Sequence, residues 1–415
     1  MVCKDSKSES FILIHVALIL VTFWDMFDYL MPNLSFVILF FLTLILLYIK
    51  KNIFVTKNFA FISLFVLLHG TINIILENNT LELFLKQYLN VYTNILFFWL
   101  VVRDNRIDKI YSIYLKYALF ISEFAILEEF ACLFGISSYI PVPFFKEYDK
   151  VLIFSRVSAF CYEPSFLGYY LCPAVCIAVF YVICKENLPN ILNKTMSTAR
   201  AWIIITAMLF TFSLTGYIGL FVSILLAIRT KKIGSTKILL PLMTLFLCVF
   251  AYNELPAIQM RVDNTLAIFL TDIDYSSINI SSYTYFANFN VTLKSIEESW
   301  FIGYGLASYP IAYDRYNVGG WGEADLMLNR TDGNSMLFRI LTELGVFGFI
   351  MISVYMIRYY INNNKINYIY TAASLALFLI LLMRQGHYTH GGVMLFALLY
   401  HKNYIEEIKK GEYSK

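Results

Sequence analysis

Apolar residues gather in eleven runs along the chain, near 11–30, 33–49, 58–76, 88–102, 110–135, 164–184, 201–228, 238–252, 335–357, 366–383 and 391–401. Several approach or exceed the ~20 residues an α-helix needs to cross a bilayer. The polar segments between them are short, apart from 136–163 and 253–334. This pattern predicts an all-α polytopic membrane protein, a single transmembrane domain over residues 1–415 with two sizeable outer segments at 136–163 and 253–334. The first run follows Lys4 and Lys7 and lacks a small-residue cleavage site, so it reads as a retained span and not a signal peptide.

Lysine and arginine set the orientation. They collect at Lys50-Lys51-Lys57, Arg103-Arg106-Lys109, Lys185-Lys194-Arg200, Arg229-Lys231-Lys232-Lys237, Arg358-Lys365 and the tail from Lys402. All of these face the cytoplasm only if an even number of crossings separates each from the next. The run "AWIIITAMLFTFSLTGYIGLFVSILLAI" is the exception. As one tilted helix it puts the Lys185–Arg200 connection outside. A break at "SLTG" makes it two short helices, keeps that connection inside and gives 12 spans with both termini cytoplasmic. The broken form is the expectation, because glycine and hydroxyl residues at mid-run loosen a helix that protein or water can cover.

Composition agrees. Of 415 residues, 59% are hydrophobic and 15% charged, with a mean hydropathy of +0.65, against roughly a quarter charged in soluble domains. The net charge of +3 is too small to imply nucleic acid as a partner. Seven cysteines include no CxxC pair, and most lie inside apolar runs, where buried inert thiols are expected.

Chemistry is sought in the outer segments. "SSYTYFANFNVTLKSIEESW" places Phe286, Phe289, Leu293, Ile296 and Trp300 at helical spacing, with Ser281 or Ser282 as a start signal. An amphipathic helix lying at the membrane interface, anchored by Trp300, is expected. A membrane helix should then begin at about Asn334 or Ser335, its free N–H groups facing the outer mouth. Arg339 and Glu343 share one face of that helix, either as a mutual ion pair fixing two helices or as part of a substrate pocket.

Arg156, Arg261, Arg315, Arg330 and Arg384 lie on the side where cations are scarce. Guanidinium forks suit phosphate oxygens, and Arg156 and Arg261 each sit beside a span end. Glu163 precedes Pro164 at a helix entrance, where it complements the dipole or serves as a general base. "RQGHYTHGG" adds His387 and His390 beside Arg384; no third ligand accompanies the histidines, so no metal is expected.

Taken in order, these pieces resemble the bacterial O-antigen polymerase and ligase superfamily. "RVSAFCYEPSFLG" is similar to its arginine followed by Glu-Pro at a helix entrance, "FTFSLTGYIGL" to its serine-glycine membrane motif, and "ESWFIGYG" with "GNSMLFRILTELGVFGFI" to its Gly-x-Gly and Asn…Glu-x-Gly stretches. The resemblance covers about residues 150–350 and implies a GT-C-type membrane glycosyltransferase. It implies that Arg156 and Arg261, aided by Asn334, hold the diphosphate of an undecaprenyl-linked glycan. Ligases often carry a histidine directly before the asparagine; Gly333 stands here, which favours a polymerase and leaves Glu163 and Asp332 as candidate bases. A family arginine in the amphipathic helix is absent, with Tyr285 near its place.

The expectation is therefore a repeat-unit polymerase of the bacterial inner membrane. It would transfer the growing glycan from undecaprenyl diphosphate to a sugar hydroxyl of a new lipid-linked unit, with no cofactor and with a polysaccharide chain-length regulator as a possible partner. An O-antigen ligase acting on lipid A core, and a transporter of lipid-linked sugars or polysaccharide, are the alternatives. Arg339, Glu343, Arg384 and His387 complete the expected pocket.

Overall fold

The computed structural model describes residues 2–50, 57–136, 153–184, 188–230, 256–270, 280–299, 301–317, 327–362 and 366–413, with isolated positions between 249 and 253. Much of the expected 136–163 segment, the run at 238–252 and Trp300 lie outside the described residues. Helices follow one another as α1 (Val2–Thr22), α2 (Trp24–Leu30), α3 (Leu34–Lys50), α4 (Lys57–Ile75), α5 (Leu81–Arg103), α6 (Ile107–Leu133) and α7 (Pro164–Cys184). Then come α8 (Asn190–Thr195), α9 (Thr198–Phe210), α10 (Leu214–Ile228), α11 (Pro256–Leu270), α12 (Ile280–Glu298) and α13 (Tyr309–Tyr316). The chain closes with α14 (Met336–Glu343), α15 (Gly345–Arg358), α16 (Tyr368–Arg384), a 3₁₀ turn at His390–Gly392, and α17 (Val393–Tyr413).

Two helices, Ile107–Leu133 and Pro164–Ile183, are long and apolar enough to cross a membrane, and a third if the bent pair Phe11–Thr22 and Trp24–Leu30 is one span. Six further apolar helices of 10–17 residues accompany them. Among the described residues no strand interrupts the helices. This all-helical architecture fits a multi-pass membrane protein.

Three apolar runs are broken, each for a local reason. The run at 11–30 bends by 68° at Phe23, which turns Asp25 into the interior, where it is only 3% exposed. The run at 201–228 separates at Thr211–Ser213 and reverses: Tyr217 donates to the Leu209 carbonyl (3.2 Å), and Gly216 and Gly219 both pack on Met208. The helix expected over 335–357 stops at Leu344 and restarts at Gly345, whose φ of +67° ordinary residues avoid. Into that break fits the Gly-x-Gly segment, with Tyr304 and Gly305 N–H donating to the carbonyls of Thr342 (3.0 Å) and Glu343 (2.8 Å). A Cβ on Gly345 would lie 2.0 Å from the Phe301 carbonyl oxygen.

The basic connections gather at one end. Lys50 pairs with Asp104 after α5, while Lys402 donates to the carbonyls of Val102, Arg103 and Asn105. Asn403 reaches the Asn367 carbonyl (3.0 Å) and Ser112 meets Thr195 (2.7 Å). The ends of α3 and α5 and the starts of α6, α9 and α16 thus lie together.

The centre of the bundle is α7, packed against α6, α9, α10 and α16. Gly168 meets the backbone of Gly216 and Cys172 meets Gly219, so α7 and α10 run side by side in the same direction. Small residues allow such approach where lipid supplies no hydrophobic drive. Buried hydroxyls cross-link the interior: Tyr114 to the Tyr170 carbonyl (2.6 Å), Thr22 to Tyr170 (2.7 Å), Tyr111 to Ser374 (2.9 Å). Cys161, Cys172 and Cys176 are free and buried.

The amphipathic helix forms as α12, and it packs on the rest of the protein through a face other than the stripe expected to meet the membrane interface. Ala287, Asn288, Val291, Thr292 and Ser295 point inward, while Leu293 is 40% exposed. The partner surface is polar, with Tyr309 hydroxyl donating to Asn288 Oδ1 (2.8 Å) and Thr342 facing Thr292, so hydrogen bonds select the inward face rather than apolar area.

Candidate active site

The segment "RVSAFCYE" forms a strap at the end of the bundle opposite the basic connections. Its backbone hangs from carboxylates. Ser155 N–H donates to Glu129 (3.0 Å), and those of Ser158 (3.4 Å) and Ala159 (2.7 Å) donate to Glu128. Tyr162 N–H donates to Asp25 Oδ2 (2.9 Å), and Val157 N–H to the Phe210 carbonyl (3.1 Å). Asp25, Glu128 and Glu129 are each at most 3% exposed; buried carboxylates need such donors. The strap holds Arg156 half-buried beside Tyr217 at the α9–α10 turn. Its far end delivers Glu163, exposed at the start of α7 and accepting from Ser165 (3.0 Å).

The loop between α16 and α17 meets the turn before α14. Gly386 presses on Asp332, where a Cβ would lie 1.6 Å from the Asp332 carbonyl oxygen. Ser335 caps α14 through Phe338 N–H and donates to the Leu382 carbonyl (2.6 Å). Asp332, 5% exposed, accepts from Asn329 (2.8 Å) and from Asn334 N–H (3.3 Å) through Oδ1. Its Oδ2 lies 3.3 Å from Nε2 of His387, a side chain left 42% open. Asn334 is buried with φ of +57°, and its side-chain Nδ2 has no hydrogen-bond partner among the described residues.

Below this pair sits a closed ionic group. Arg339 bonds Glu343 (2.8 Å) and the Gly386 carbonyl (2.9 Å), and lies 4.5 Å over the Tyr388 ring. Tyr388 hydroxyl donates to Glu343 (3.0 Å). Glu343 is fully buried, and every strong partner it needs comes from this set. Of the two roles expected for Arg339 and Glu343, the geometry is that of the mutual pair, here clamping α14 to the loop at 385–388.

His390 follows three residues after His387, with ring centres 6.0 Å apart. Its Nδ1 meets the Tyr169 hydroxyl and its Nε2 meets Asp25 Oδ1. Trp24 and Phe166 pack edge-on against the ring. Asp25, Tyr169, His390, His387 and Asp332 thereby form one continuous line of titratable groups across the mouth.

Burial pushes the His387 imidazole below its ordinary value, to about 4, against the upward pull of Asp332. Its open edge tempers the fall, because water at that edge screens the burial. The direction leaves the ring neutral at pH 7. An Nε2–H directed at Asp332 then leaves Nδ1 as the basic nitrogen.

The other outer cations divide. Arg330 grips Asp314 within its own segment with two donors, and Arg315, lying over Tyr304, bonds Asn78 (3.3 Å) in the connection between α4 and α5, so both serve local structure. Arg384, half-buried, lies within electrostatic reach of Tyr285. Arg261 falls on α11, which packs against α12, and its side chain lies outside the described residues. No group of three or more His, Cys, Asp or Glu able to hold a metal is present among the described residues.

Asp25, Glu128, Glu129, Tyr169 and Tyr388 were not singled out by the sequence. The available signal was acidic residues inside apolar runs, which normally turn toward a bundle interior. Compared with known proteins, the chain matches no family model, no curated protein and no solved structure.

Proposed function

We propose that the protein is a repeat-unit polymerase of surface polysaccharide in a bacterial inner membrane, a metal-independent, GT-C-type glycosyltransferase of 12 spans whose mouth faces the periplasm. The reading rests on the order of the O-antigen polymerase-like motifs. One observation carries it: a partly open imidazole, His387, held 3.3 Å from the nearly buried carboxylate of Asp332, where a sugar hydroxyl can reach it. This assignment moves the base from Asp332 or Glu163 to His387 and makes Asp332 the group that orients it.

In the reaction, a terminal sugar hydroxyl of the incoming lipid-linked unit attacks the anomeric carbon of the growing glycan. The new C–O bond forms as the bond to undecaprenyl diphosphate breaks. The hydroxyl proton passes to His387 Nδ1 and the electron pair leaves on the diphosphate. Arg156, Arg261 and the Asn334 amide stabilise the charge that develops there, an electrostatic contribution that often dominates catalysis. Arginines that neutralise the leaving group make a metal unnecessary.

The test is a gel ladder of surface polysaccharide from a strain lacking the gene. Single-repeat glycans are expected. Long glycan retained on the lipid carrier would make the protein the ligase, and lipid-linked units retained on the cytoplasmic side would make it a transporter. Complementation with His387→Ala should fail to restore the ladder.

A further inference from the structure

A cavity of about 180 Å³ opens between α6, α8 and α9 toward the basic end. By liquid volume it has room for about six waters. Its walls are Leu115, Leu119, Met196 and Ile204, with Lys116 and Arg200 as its charged members and no carboxylate among its lining residues. Both cations are exposed, and neither has a carboxylate partner among the described residues.

Lys116 is nine residues into α6, or ~14 Å from its start at 1.5 Å per residue. A lysine at that depth lays its stem along apolar wall and lifts its ammonium toward the interface. Arg200 is fixed at the rim, one N–H donating to the Thr195 carbonyl (2.6 Å). The start of the 13-residue helix α9, capped by Ser197, adds its positive end beside that guanidinium. Cationic groups at the rim and hydrocarbon within suit an amphiphile better than a free ion.

We infer that this cavity binds the phosphodiester headgroup of an anionic phospholipid, with Lys116 and Arg200 as its ligands and an acyl chain along Leu119 and Ile204. Basic pockets between helices on a cytoplasmic face recognise such lipids. The inference is independent of the reaction proposed above.

The full chain in neutral-detergent micelles, titrated with phosphatidylglycerol and separately with phosphatidylethanolamine and read by native mass spectrometry, tests it. Phosphatidylglycerol should bind at least about fivefold more tightly. Lys116→Gln and Arg200→Gln should each weaken it about fivefold, the effect of ~1 kcal/mol per basic residue near a membrane surface. Lys116→Arg should restore most of the binding. Because Lys116→Gln leaves a polar group among apolar walls, Lys116→Met serves as a second variant, and melting temperatures confirm that each has folded. Equal affinity for the two lipids, or unchanged binding in the double variant, overturns the site. Inorganic phosphate binding as tightly as the lipid overturns it in favour of a soluble-anion site.

Discussion

His387 and His390 are three residues apart on one short loop, yet their surroundings assign them opposite work. Both nitrogens of His390 are committed, to Tyr169 and to Asp25, with Trp24 and Phe166 closing over the ring. His387 has a carboxylate on one nitrogen only and keeps 42% of its side chain open. The first ties three elements together: α2, α7 and the last loop. The second is held in place yet remains available. Residue type alone therefore says little here; the number of committed nitrogens separates a strut from a ring with a nitrogen to spare.

The largest effect should come from removing the acceptor. His387→Ala is expected to lower chain extension ~10²–10⁴-fold with melting temperature close to the parent's; long surface chains from that variant would return His387 to a structural role. Next in size is the clamp beneath it. Arg339→Ala strands a buried Glu343 and should remove ~3–5 kcal/mol of stability, read as lost folded yield in micelles, whereas a mutant with parental melting would mean that the pair does not clamp α14 to the loop.

His390→Ala should be milder in stability, ~1–3 kcal/mol for leaving buried Asp25 and Tyr169 short of a partner, and it should lower the melting temperature before it touches turnover per folded molecule. The reverse order of effects would exchange the two histidines' roles. The smallest change is in pH dependence. A protonated imidazole cannot accept a proton, so turnover should rise with pH through the His387 pKa, in an acid limb below 6.5 because burial lowers that value. Asp332→Asn removes the charge that raises it, so the limb should move further down, by less than about one pH unit. An upward move would show that Asp332 does not face the imidazole in the working state.

The apolar runs were enough to place most helices, because a run of ~20 apolar residues depends on composition and not on partners. The break at Thr211–Ser213 was legible too, because "SLTG" marks it locally; the interruptions at Phe23 and Leu344 were not. The bend at Phe23 follows from where Asp25 finds donors, Tyr162 N–H and His390, both more than a hundred residues away. The split at Leu344 requires the Phe301–Gly305 segment to enter it. Ser335 as the start of α14 was legible, since a helix cap is local. The Asp332–His387 pair was not, since 55 residues and all of α14, α15 and α16 separate its members in sequence. The inward face of α12 was not legible for a related reason: Asn288 and Thr292 face polar partners that only the fold supplies.

One consequence concerns the splice at residues 301–305. Because Tyr304 and Gly305 borrow carbonyls from Thr342 and Glu343, the Gly-x-Gly segment is joined directly to the end of α14. Glu343 is joined to Arg339, and Arg339 to Gly386, the residue adjoining His387. A displacement of the 301–305 segment thus has a path to the imidazole through covalent and hydrogen-bonded links alone.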